Sequence, residues 1–115
     1  MKYTILLVIL ALPAHAETAQ EMVTQCRQIA SDAPMAALKG AFCAGYMAGV
    51  MDGSIIQMAV GEPARFCPPT KGLSPEAISD LLAAHLITHP DQATDQVRMP
   101  LMAALVRAFP CPKGK

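Results

Sequence analysis

The sequence predicts an all-α fold, a small four-helix bundle around a long central helix, stapled by two disulfides. Three observations carry this prediction. Apolar residues recur at helical spacing in successive stretches, and no stretch shows the apolar–polar alternation of a half-buried strand. Capping and breaking residues fall at the ends of those stretches. Cys26, Cys43, Cys67 and Cys111 are an even set of cysteines in a short chain that opens like an exported protein.

Residues 1–16 have the form of a secretory signal peptide. Lys2 supplies a positive start, residues 3–12 are an apolar run, and Ala14-His15-Ala16 is a small-x-small cleavage site. The run is too short to span a bilayer. Residues 17–115 are expected to form a single domain in an oxidising compartment. That part carries eight Lys or Arg against nine Asp or Glu, a net charge of about −1. There is no basic run and no aromatic platform, so no nucleic-acid partner is expected. Tryptophan is absent and the chain has three Phe and two Tyr. The core must come from Leu, Ile, Val, Met and Ala, and methionine specifies packing weakly. Covalent staples suit such a core.

The first helix is expected over Thr18–Ala30, with Met22, Val23, Cys26 and Ile29 on one face. Glu21 suits the positive end of its dipole. Ser31-Asp32-Ala33-Pro34 reads as a turn. The long helix follows over Met35–Val60 and ends near Gly61. It would be about 39 Å long at 1.5 Å per residue. It is apolar around most of its circumference, which predicts a central, buried position. Gly45, Gly49 and Gly53 recur every four residues beside Tyr46. Each glycine costs about 0.5–1 kcal/mol of helix stability relative to alanine. The stripe therefore reads as a helix-packing surface where another backbone approaches closely.

Glu62–Leu73 is the main irregular segment, broken by Pro63, Pro68, Pro69 and Gly72 and anchored by Cys67. Arg65 and Lys71 make it mildly basic, and they are the candidate partner-binding residues. The plainer reading is a tight connection stapled to the chain end. Ser74-Pro75-Glu76 starts the third helix, with Ser as N-cap and Pro at the first helical position. Ile78, Leu81, Leu82 and Leu86 give it an apolar face, and it ends at Thr88-His89-Pro90. Residues 91–99 are polar. Pro100 either kinks that segment or opens a fresh helix over Pro100–Ala108. Leu101 and Leu105, with Met102 and Val106, are expected to face inward. Phe109-Pro110-Cys111-Pro112 closes the chain.

The cysteines allow three pairings. Cys26–Cys43 and Cys67–Cys111 are favoured. The first crosses the hairpin of helices one and two, and the second ties the loop to the chain end. In the chain-entropy model they contribute about 3 and 4 kcal/mol. No pair has C-x-x-C spacing, which disfavours zinc and a redox-active pair. His85 and His89 share a face at a spacing metals use, but no third ligand is fixed. No metal and no cofactor are expected, and the pair reads as a half-buried and a terminal histidine. Ala41–Val60 approaches the length of a membrane span, with glycine spacing that suits helix pairing in lipid. Asp52 and Gln57 oppose that reading, and no basic flank supports it. No membrane span is expected after signal cleavage. There is no Ser-His-Asp arrangement, no paired carboxylates at set spacing and no phosphate loop, so no catalytic residue is assigned and an enzyme is not expected.

Four segments together carry a family resemblance. They are Phe42-Cys43-Ala44-Gly45-Tyr46-Met47-Ala48-Gly49-Val50-Met51-Asp52-Gly53, then Phe66-Cys67-Pro68-Pro69, then His89-Pro90, then Ala104-Leu105-Val106-Arg107-Ala108-Phe109-Pro110-Cys111. The chain resembles the Rap/Tai family of immunity proteins against type VI secretion amidase effectors. The resemblance implies a small periplasmic helical protein with intrachain disulfides, a homodimer, that binds a cell-wall amidase effector and blocks its active-site cleft. The alternative is an HdeA-like periplasmic chaperone or an orphan envelope binding protein on the same scaffold. An even charge balance argues against strong acid switching of the chaperone kind.

Overall fold

The computed structural model describes residues 17–113. The expected signal peptide lies outside the described residues. Four α-helices follow in order: α1 Ala19–Cys26, α2 Pro34–Ala59, α3 Pro75–Thr88 and α4 Arg98–Ala108, with a 3₁₀ turn over Pro90–Thr94 before α4. The described residues contain no strand, only an isolated antiparallel bridge between Thr18 and Gln96. The all-α class and both staples are as the sequence predicts. Cys26–Cys43 joins Cα atoms 5.2 Å apart, and Cys67–Cys111 joins Cα atoms 4.9 Å apart.

Local chemistry explains most helix ends. Thr18 caps α1 in a capping box: its hydroxyl accepts from the Glu21 N–H at 3.2 Å, and its own N–H donates to the Glu21 carboxylate at 3.1 Å. Ser74 caps α3 by accepting from the Ala77 N–H at 3.1 Å, with Pro75 at the first helical position. Gly61 closes α2 with φ of 84°, a left-handed conformation that a side chain disfavours. Its N–H donates to the Met58 carbonyl and the Glu62 N–H to the Gln57 carbonyl, both at 3.1 Å, the paired bonds of a Schellman motif. α4 begins two residues before Pro100. The proline occupies its first turn, where the missing N–H costs no helical bond, and it is buried.

α1 is shorter than expected. After Cys26 the chain tightens into successive turns, with Gln28 N–H donating to the Gln25 carbonyl and Ser31 N–H to the Gln28 carbonyl, both at 3.0 Å. The cause is the crossing of α2. A Cβ added at Gly40 would lie 2.5 Å from the Gln28 carbonyl carbon and 2.6 Å from Ile29 Cα. Only a glycine lets the two backbones meet there, one helical turn from the Cys26–Cys43 bridge.

The centre of the bundle is α3. It packs on each of the other three helices, whereas α2 packs chiefly on α1 and α3. Ile78, Leu82 and Leu86 of α3 meet Met22 and Val23 of α1, Cys43, Met47 and Met51 of α2, and Leu101 and Leu105 of α4 in one cluster. Each such aliphatic side chain contributes about 1.5–3 kcal/mol on full burial. Met102 and Val106 do not face inward as expected; Pro100 and Ala104 take those places. The ends of the domain meet: Ala19 N–H donates to the Asp95 carbonyl and Val97 N–H to the Glu17 carbonyl, both at 2.9 Å.

The buried position expected for α2 is also corrected. It buries one strip, Gly40, Cys43, Met47, Met51 and Ser54. Leu38, Phe42, Ile55, Ile56, Met58 and Val60 are exposed. Apolarity around a helix calls for cover, but it does not say that the same chain supplies it. Here α1 and α3 are wide enough to cover only one side.

Candidate functional site

The residues that could meet a partner lie on two surfaces that share the C-terminal end of α2. The first is the loop 62–73. Its shape is fixed from beneath. Phe66 is 1% exposed and plugs the core, the Cys67 N–H donates to the Phe109 carbonyl at 2.8 Å, and the next bond out is the Cys67–Cys111 disulfide. The Gly72 N–H closes a turn on the Pro69 carbonyl at 2.9 Å. Arg65 and Lys71 stand exposed on either side of this anchored centre. A loop already ordered loses less entropy when a partner binds it. Phe66 was not singled out as an anchor by sequence reasoning. The signal was an aromatic beside a cysteine in a proline-rich loop, where an apolar ring has no other use.

The second surface is the outer side of α2. A Cβ added at Gly45, Gly49 or Gly53 would meet no atom within 4 Å. The close approach that the glycine stripe suggests is therefore not made inside the chain, and the glycine that does serve one is Gly40. Tyr46 is half-buried and leans on the core, with its ring 6.4 Å from that of Phe42. Burial pushes the Tyr46 phenol above its ordinary value, partly opposed by the Arg98 charge. Asp52 is exposed.

The remaining polar groups make local structure. The His85 and His89 rings stack with centroids 4.2 Å apart. His85 Nε2 lies 2.9 Å from Gln92 Oε1, and His89 Nδ1 lies 2.9 Å from Thr88 Oγ1. This joins the end of α3 to the 3₁₀ turn. No group of three or more His, Cys, Asp or Glu that could hold a metal lies among the described residues. Glu17 accepts from Gln25 Nε2 at 2.8 Å. Burial, then the neighbouring Glu21 carboxylate, holds the Glu17 carboxyl above its ordinary value. An open groove of about 610 Å³ between α1 and the start of α2 is lined by Gln20, Thr24, Gln28, Met35 and Lys39 among others. Its lining includes no cysteine and no histidine. No helix of the described residues is long and apolar enough to cross a membrane.

These features define a class: a small helical module stapled by two disulfides. Residues 18–111 match the family of Rap1a immunity proteins, and the chain belongs to that family, whose name marks its members as immunity proteins. No curated protein and no solved structure matches the chain.

Proposed function

We propose that this chain is exported to the periplasm, where it acts as a homodimeric immunity protein. It binds a peptidoglycan amidase effector of a type VI secretion system and blocks its active-site cleft. The observation that carries the reading is the family match across nearly the whole described domain. The two disulfides support it, since such bonds persist in oxidising compartments. The action is stoichiometric binding and requires no catalytic group on this chain. The stapled loop is the contact surface, with Arg65 and Lys71 meeting acidic groups on the effector.

The test is hydrolysis of peptidoglycan by a candidate type VI amidase effector, sought first in the genes adjoining that of this chain, measured with increasing immunity protein. Activity should fall to the background at one protomer per amidase. Reversing both loop charges, Arg65→Glu with Lys71→Glu, should weaken inhibition by at least about tenfold and reduce its salt sensitivity. Full hydrolysis in the presence of equimolar protein sinks the proposal. Acid-triggered holding of unfolded clients in that same assay set would move the assignment to the chaperone alternative.

A further inference from the structure

The two disulfides stand in different surroundings. Cys26 is 6% exposed and Cys43 0%, so the bridge between α1 and α2 is sealed in the core. Cys67 and Cys111 are only half-buried. The segments they join are also held by little else. Among the described residues, no backbone hydrogen bond holds the chain beyond the Phe109 carbonyl, and Pro110 and Pro112 have no N–H to donate. On the loop, Phe66 is buried and Leu73 leans on the core. Between them, residues 68–72 make one backbone hydrogen bond, from the Gly72 N–H to the Pro69 carbonyl at 2.9 Å, and it is internal to the loop. Segments 62–73 and 109–113 carry Arg65, Lys71 and Lys113 against one acid, Glu62. All four are exposed.

We infer that Cys67–Cys111 is a redox modification site, a latch on the loop that a dithiol reductant opens, whereas Cys26–Cys43 is a permanent staple. Exchange requires a thiolate to reach one sulfur of the bridge, and burial bars that approach at Cys26 and Cys43. At the outer bridge the three cations favour the step twice: they draw in an anionic thiolate and stabilise the cysteine thiolate that leaves. One thiolate of the reductant bonds to one cysteine sulfur as the Cys67–Cys111 bond breaks, and the other cysteine leaves and takes a proton. The second thiol of the reductant then displaces the first cysteine. The bridge gains two electrons and two protons, and the dithiol becomes a disulfide. The chain is the electron acceptor here and not the catalyst, in keeping with its lack of a C-x-x-C pair. Opening is local. Phe66, the helix cluster and the inner bridge stay in place, while residues 67–72 and 110–113 lose their covalent tie. Lys71 lies on the released part, so the same step loosens the contact surface proposed above.

Timed reduction tests it. The oxidised protein is treated with dithiothreitol, quenched at intervals with iodoacetamide, and its labelled cysteines are located by peptide mass spectrometry. Cys67 and Cys111 should become labelled at least about tenfold faster than Cys26 and Cys43. Protein trapped with only the outer bridge open should keep its helical circular dichroism. Trypsin should cut it after Lys71 at least about tenfold faster than it cuts the bridged form. Cys67→Ser with Cys111→Ser should show the same fast cleavage with no reductant present, which separates the effect of the open bridge from that of the label. Labelling of all four cysteines at one rate, or of Cys26 and Cys43 first, overturns the inference. So does loss of the helical signal as the outer bridge opens, or cleavage after Lys71 that is no faster in both opened forms. None of these measurements uses an amidase. Their failure leaves inhibition by the bridged protein standing, and absent inhibition removes only the effector reading.

Discussion

Gly40→Ala should destabilise the domain, against the sign that helix propensity alone gives. Inside a helix, alanine is favoured over glycine by about 0.5–1 kcal/mol. At this position the added methyl would lie 2.6 Å from Ile29 Cα and 2.5 Å from the Gln28 carbonyl carbon. Unbonded carbons rest at about 3.5–4.0 Å, so the two backbones must separate by about 1 Å. They cannot separate freely, because the Cys26–Cys43 bridge clamps them one turn away, with Cα atoms 5.2 Å apart. Overpacking of this kind costs about 1–3 kcal/mol, and more when backbone must move. Set against the propensity gain, the net loss is about 1–2 kcal/mol. Urea unfolding followed by circular dichroism should show a lower midpoint with an unchanged slope, and the melting temperature should fall by about 5–15 °C. An Ala variant as stable as the parent, or more so, would refute the claim that α2 crosses the turn backbone to backbone.

Three further outcomes follow from the same geometry. Thr18→Ala removes the hydroxyl that accepts from the Glu21 N–H, while the residue 18 N–H can still donate to the Glu21 carboxylate, and should cost about 1 kcal/mol in urea unfolding. Phe66→Ala leaves a hole in the core and should cost about 3–5 kcal/mol; a loss under about 1 kcal/mol would mean that Phe66 does not anchor the loop. The Tyr46 phenol is held above 10.0 by burial. The native state therefore keeps a proton that the unfolded chain gives up, and stability should fall as pH climbs from about 10 through the raised value. Tyr46→Phe should flatten that alkaline decline in stability measured against pH.

The helices were readable where backbone chemistry is local. Thr18, Ser74 with Pro75, and Gly61 mark helix ends by satisfying nearby N–H and carbonyl groups, and the structure uses each in that way. The sequence left three disulfide pairings open, and the favoured one, across the hairpin and from the loop to the chain end, is the one the structure has. What the sequence could not show was which helix sits at the centre. α2 is the longest and most apolar, but α3 is flanked on all sides because both chain ends fold against it. Nor could spacing separate the glycine that admits a neighbour from those that do not. Gly45, Gly49 and Gly53 form a visible series and face open space, while the isolated Gly40 touches backbone. The loop cations were legible as exposed because prolines keep that segment out of helices. Its buried Phe66 was not, since that depends on the end of α4 lying beneath it.

The hydrogen bonds that tie residues 17–19 to residues 95–97 make the domain a closed ring of chain. Residues 17–19, at the start of α1, cannot complete these bonds until residues 95–97 are available. A polypeptide emerging N-terminus first, from a ribosome or through a translocation channel, would carry α1 and α2 as a loosely held hairpin and gain its full cooperativity only near completion. Removal of the final helix should therefore loosen the opposite terminus as much as its own neighbourhood.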